Sequence, residues 1–218
     1  RYPEPGKSDD KGTETDSNHN QMLYYHKLGT PQSDDILIYK DPSNPEYMYE
    51  IVVSTDGRYV ILKVLKDCDR VNKLWIFDLE KINRRIGFID IIKEHPADVL
   101  SSADAIAEKN LVLVYMHDVK EKVSIHSLST GKHIKDLPIP IGSIEAVAGR
   151  REDSEFFFKF TSYLNPGIIY RYNFTKEKLS EYRTTEVQGF NSDLFETKQV
   201  FIESKDKTKI PVFIVSPK

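Results

Sequence analysis

One cysteine, Cys68, stands among 218 residues, so no disulfide can form within the chain. A lone thiol fits a reducing compartment, and we expect a cytoplasmic protein. Apolar runs long enough to span a bilayer are missing, so no membrane partner is expected. An excess of one charge is missing too. The 31 Lys and Arg against 34 Asp and Glu leave a net charge of −3. That removes the electrostatic case for a nucleic-acid partner or an anionic surface. A sustained 3.6-residue apolar period is absent, so no long helix is expected.

The chemical signatures are equally sparse. None of the ten glycines brackets a serine as G-x-S-x-G, the strained turn that exposes a hydrolase nucleophile. There is no P-loop, dinucleotide fingerprint or CxxC pair. The six histidines, His19, His26, His95, His117, His126 and His133, lack metal-ligand spacing to one another or to cysteine. We therefore expect no metal, no cofactor and no catalytic residue in this chain. The sequence begins at Arg1 with a polar stretch and reads as a fragment, so a missing leader carries no weight.

What is present is β-forming material. Twelve Tyr and eleven Phe favour strands. A strand-and-turn unit recurs at Leu23–Gly29, Leu74–Glu80, Val123–Gly131 and Ile168–Phe174. The spacing is roughly 45–50 residues, the size of a four-stranded propeller blade. One blade cannot bury both of its faces alone, so it must stack on neighbours. We expect an all-β fold, a partial β-propeller of four-stranded antiparallel blades, with blade units at about 21–40, 47–93, 97–138 and 143–185.

The second unit is the most complete. Its strands are expected at Tyr47–Val53, Tyr59–Leu65, Lys73–Leu79 and Ile86–Ile92. Ser54-Thr55-Asp56-Gly57-Arg58 reads as a tight turn in which Asp56 caps and Gly57 supplies a positive φ. Ala103–Lys109 reads as a strand end and loop rather than a helical turn. Pro138 and Pro140 fall where one blade passes to the next in extended backbone. The rhythm breaks at Glu196–Glu203 and Ile210–Val215, a hairpin that begins something other than a blade.

Three local pairings invite chemistry and mostly decline it. His117-Asp118 reads as a strand-end residue and a turn-capping acid rather than a catalytic pair. Ser124 and His126 share a strand face but lack the orienting carboxylate of a triad. Asn173-Phe174-Thr175 matches a glycosylation acceptor, a triplet that chance often supplies. Cys68 sits in the charged loop Lys66-Asp67-Cys68-Asp69-Arg70. There Lys66 and Arg70 favour thiolate and the two acids oppose it, so residue types alone leave its role open.

Several long runs, in order, resemble the prolyl oligopeptidase (prolyl endopeptidase) family. They are Gly12–Thr15, Leu23–Thr30, Ser54–Val60, Cys68–Trp75, Phe160–Tyr170 and Asp206–Val215. The resemblance implies a seven-bladed propeller over an α/β-hydrolase domain with a Ser-Asp-His triad. The implied activity is a cytosolic serine peptidase that cleaves short peptides after proline, with the propeller as a filter. Residues 1–190 would then be partial propeller, and 191–218 the start of a truncated hydrolase domain without its triad. The implied partners are short proline-containing peptides, acting through the parent enzyme.

The same resemblance places Cys68 in a loop near the substrate cavity, where thiol modification hinders binding. An arginine of the family near that loop is replaced here by Leu65. The resemblance also implies that about one blade, roughly 50 residues, is missing between Lys93 and Glu94, with the repeat still in phase. An open propeller edge would then be prone to association, and low stability is expected of the isolated chain.

Overall fold

Rows of alternating apolar residues, punctuated by tight turns, become sixteen antiparallel strands in the computed structural model, which describes residues 19–66, 72–79 and 89–218. A first hairpin pairs β1 (Met22–Tyr25) with β2 (Ile36–Lys40). Three four-stranded meanders follow. The first complete blade holds β3 (Tyr47–Val53), β4 (Tyr59–Lys66), β5 (Lys73–Asp78) and β6 (Ile89–Ile92), hydrogen-bonded in that order. The second holds β7 (Val99–Ile106), β8 (Asn110–His117), β9 (Lys120–Ser127) and β10 (His133–Asp136). The third holds β11 (Ser143–Gly149), β12 (Glu155–Thr161), β13 (Ile168–Asn173) and β14 (Lys178–Thr184). A final hairpin, β15 (Phe195–Glu203) with β16 (Lys209–Pro217), forms a two-stranded sheet of its own among the described residues.

The expected turn after β3 forms as its residue types dictate. The Ser54 hydroxyl donates to the Asp56 carboxylate at 2.6 Å, the Arg58 amide donates to the same oxygen at 3.2 Å, and Gly57 takes φ +70°. Ala103 lies in β7, which runs to Ile106, and Ala107–Lys109 turns the chain, so no helix forms there. β6 is described over Ile89–Ile92; the expected start at Ile86 falls within residues 80–88, which lie outside the described residues.

Central strands carry the core: β4 and β8 are buried on both faces, while β12 and β13 bury every second residue, on the face that meets the second blade. The first hairpin lays Leu23 and Tyr39 on Tyr49, Leu62, Val64 and Trp75 of the first blade. Tyr39 meets both Tyr49 and Trp75 edge-on at 5.5 Å. Between the first and second blades, Ile61, Leu74 and Ile76 pack on Leu100, Ala103, Leu111, Leu113 and Leu128. Between the second and third, Ile106, Val112, Val114, Val123 and Ile125 meet Phe156, Phe158, Phe160, Tyr170 and Tyr172. Each fully buried aliphatic or phenyl side chain in these seams contributes about 1.5–3 kcal/mol.

Antiparallel order sends every blade-to-blade connector to one end of the stack. There lie residues 41–46, 93–98 and 137–142, the β8–β9 turn and the β12–β13 turn. The opposite end gathers the inner turns 54–58, 107–109 and 150–154.

Candidate functional site

The connector end is where the last hairpin lands. The Gln199 side-chain amide donates to the Asp118 carbonyl at 2.6 Å, and the Tyr163 and Phe213 rings lie 5.6 Å apart. Between them opens a cleft of about 270 Å³, lined by Val119, Gly142, Thr161, Ser162, Tyr163 and Phe213. Gly142 is required by close approach: a Cβ there would sit 2.2 Å from the Thr161 carbonyl oxygen and 2.5 Å from the Phe160 ring. Its own carbonyl accepts from the Glu121 amide at 3.0 Å. The Glu121 carboxylate in turn accepts from the Ile144 amide. A buried carboxylate thus fixes the passage from the second blade to the third.

The β8–β9 turn projects into this cleft under backbone strain. Asp118 and Val119 have φ +48° and +63°, the paired positive angles of a tight hairpin turn. Asn and Gly suit such positions; a β-branched residue there is an outlier. Val119 is exposed nonetheless, beside Phe213 in the cleft.

At the same end, His117 does not act with Asp118 alone. Its Nδ1–H donates to the Asp98 carboxylate at 2.6 Å, while Nε2 stands 3.4 Å from Asp118 Oδ2. Asp98 is buried, and its amide donates to His95 Nδ1 at 2.8 Å. The His95 and Tyr115 rings lie 6.1 Å apart, and burial with the nearby Asp98 charge pushes the Tyr115 phenol up to about 12. No serine or threonine hydroxyl is hydrogen-bonded to this group among the described residues. It ties the 93–98 connector to β8 and is a clamp rather than a catalytic pair.

Ser124 and His126 do meet. The hydroxyl donates to Nε2 at 3.1 Å, and Nδ1–H donates to the Gly131 carbonyl at 3.0 Å. Burial, the largest influence, lowers the His126 pKa and keeps the ring neutral. The orienting group is a carbonyl, not a carboxylate, and Ser124 is buried, so no substrate reaches the pair. Asn173 is likewise engaged: its amide donates to Glu155 at 3.3 Å and its oxygen accepts from the Lys176 amide at 2.9 Å. Cys68 lies outside the described residues. The strand ends that flank its loop, Lys66 and Lys73, belong to the connector end.

The opposite end is charged and drawn together. Arg151 of the third blade reaches Asp56 of the first at 3.0 Å, and its guanidinium lies 4.7 Å from the centre of the Tyr59 ring. The Thr55 hydroxyl donates to Glu152 at 3.2 Å. The amides of Ala107 and Glu108, in the second blade, donate to the Arg150 and Arg151 carbonyls at 3.2 and 2.6 Å. The Ser54 hydroxyl, more than Arg151, holds the Asp56 carboxyl below its usual range. Three inner turns are thereby joined around one arginine, a grouping that no local sequence spacing reveals.

Comparison with known proteins adds the family context. The family model described as "Prolyl oligopeptidase, N-terminal beta-propeller domain" matches residues 1–94 and 83–185. Prolyl oligopeptidase A from Galerina marginata is 32% identical, over 94% of this chain and 34% of its own length. Prolyl oligopeptidase A from Amanita bisporigera is 31% identical, over 100% of this chain and 35% of its own. Among solved structures, apo prolyl oligopeptidase B from Galerina marginata superposes with a TM-score of 0.60 at 29% identity, covering 100% of this chain and 36% of that one. The chain therefore spans about a third of the length of the relatives it matches.

Proposed function

Because the chain belongs to the prolyl oligopeptidase family, through its N-terminal β-propeller domain, we propose that it is the substrate-gating propeller portion of a serine endopeptidase that cleaves short peptides after proline. The observation that carries this reading is the landing of β15–β16 on the connector end, through Gln199 and Phe213. A hairpin outside the blade pattern leads the chain off the propeller on that side, as a continuation into a hydrolase domain requires. Relatives of the same family have been solved with peptide substrates, among them the 25mer macrocyclization substrate of prolyl oligopeptidase B from Galerina marginata.

In this reading the connector end faces the peptide. The Val119–Phe213 cleft and the loop of Cys68 border the cavity, and the joined inner turns restrict passage at the far end. Folded proteins are excluded by size while short peptides enter. The 218-residue chain alone supplies no triad and turns over no peptide. Cytoplasmic residence, with the Cys68 thiol reduced, completes the proposal.

The test is proteolytic. The gene product containing this chain is incubated with a short proline peptide and with a folded protein displaying the same residues in a loop. Cleavage of the peptide alone, on the carboxyl side of proline, supports gating. Cleavage of neither by a product that retains partner proteins would replace it with an interaction scaffold, the second reading the blade architecture allows.

A further inference from the structure

We infer that this propeller is shorter than its relatives' by one whole blade, lost at the 93–98 connector, and that the first and second complete blades seal directly against each other.

The first observation is the length of the alignment. The Amanita bisporigera relative aligns over 270 residues with a chain of 218, so relatives carry about fifty residues that this chain lacks, the size of one blade. The family match breaks into two overlapping pieces, 1–94 and 83–185. Residues 83–94 fit the family at two places. That is the expected trace of a deletion between equivalent points of successive repeats.

The second observation is the connector. Between β2 and β3 lie six residues, 41–46; between β10 and β11 lie six, 137–142; between β6 and β7, across the point of loss, lie six, 93–98. All three contain proline: Pro42 and Pro45, Pro138 and Pro140, and Pro96. A deletion with arbitrary ends would leave a connector of arbitrary length.

The third observation is the seam itself. The Asn72 side-chain amide donates to the Leu100 carbonyl at 2.9 Å, and its oxygen accepts from the Leu100 amide at 3.0 Å. Both residues are buried, so one side chain satisfies an inner-strand peptide group across two blades. Lys63 reaches the Ser101 carbonyl at 3.4 Å. Gly131, in the β9–β10 turn, lies so close to β6 that a Cβ would stand 1.9 Å from the Ile91 carbonyl oxygen. The aliphatic side chains between these polar contacts are almost fully enclosed. The first blade's second face thus already has its partner in this chain. The geometric consequence is one fewer inner strand around the axis and a narrower axial opening.

Two measurements test the inference. An Asp-N digest of the protein purified from its source should yield the peptide Asp90–Ala97, which crosses the Lys93–Glu94 join. A peptide in which other residues follow Lys93, with no Asp90–Ala97 peptide, overturns the whole-blade loss. In the 218-residue chain, methyl NOEs should connect Ile61 and Ile76 with Leu111, Leu113 and Leu128. The Leu100 amide should be protected from exchange, and Asn72→Ala should speed that exchange by roughly ten- to hundredfold. If Asn72→Ala does not fold, the wild-type NOEs decide. A folded wild-type chain without them, or a wild-type chain that does not fold, overturns the sealed seam.

Discussion

The two seams that flank the second blade solve one packing problem with different materials. Toward the third blade the seam is aromatic: Phe156, Phe158, Phe160, Tyr170 and Tyr172 are all buried, with Phe158 stacked on Tyr170 at 5.3 Å. Toward the first blade it is aliphatic and pinned by the Asn72 amide. Rings fill volume and fix orientation through their edges and faces, so the aromatic seam specifies itself by shape. Leucine and isoleucine pack well in several offsets. A buried amide with two partners allows one offset and penalises the rest, since a slipped blade would leave it unsatisfied. The aliphatic seam is the one that joins the first blade to the second across the 93–98 connector. Specificity there comes from a polar contact, while the bulk of the stability comes from apolar area on both sides.

Truncating the aromatic seam should have the largest effect. Phe158→Ala removes a buried ring with aromatic neighbours and should cost about 3–5 kcal/mol, read as a shift in urea midpoint at unchanged slope. Leu113→Ala, fully buried in the aliphatic seam, should cost about 2–4 kcal/mol by the same measurement. The ratio sharpens the comparison. If Leu113→Ala costs nothing while Phe158→Ala unfolds the chain, the first blade is not held by the second, and the likeness of the two seams fails.

Legibility in the sequence follows the same division. Strands of dense apolar content are legible almost to the residue: β3 is expected at Tyr47–Val53 and stands there, and β4 is expected at Tyr59–Leu65 and runs to Lys66. Their apolar alternation is dense and their turns carry Asp56-Gly57 or a polar cluster. β5 is expected at Lys73–Leu79 and ends one residue earlier, at Asp78. The connectors are legible in their prolines, Pro138 and Pro140, but the contacts made at that end are not. His117 finds Asp98 nineteen residues back, and Tyr163 finds Phe213 fifty residues on. Such partners are set by blade stacking, which local spacing does not encode. The Ser124–His126 proximity was readable from period two; the Gly131 carbonyl that occupies the other ring nitrogen was not.

A smaller effect separates strain at the connector end from strain within the seams. Val119 holds φ +63° in the two-residue turn. Val119→Gly should relieve about 1 kcal/mol of left-handed strain, partly offset by the freedom glycine gains in the unfolded chain. The expected outcome is an unchanged or slightly raised Tm, where most substitutions lower it. A clear loss of stability would show that the Val119 side chain is held by packing in the cleft that Phe213 also lines. In that case the hairpin β15–β16 is bound to the propeller more tightly than one hydrogen bond and one ring pair imply.

The smallest effect depends on pH and belongs to the second blade alone. Asp104 lies in β7 opposite Val112, whose side chain is in the aromatic seam. Burial raises its carboxyl pKa, against a weaker lowering by the Ser102 hydroxyl. A carboxyl whose folded pKa lies above its unfolded value prefers the protonated form in the fold. The cost of ionising it is therefore fully present above the folded pKa and absent below the unfolded one. Asp104→Asn removes the charge and keeps the shape, so it should raise Tm at pH 7 and leave it unchanged near pH 3, in paired thermal scans. The aliphatic seam, pinned by an amide that does not titrate, should show no such dependence: Asn72→Ala should lower Tm equally at both pH values. If the Asp104→Asn gain were the same at both, its origin would be packing rather than charge. The two seams would then differ in shape alone.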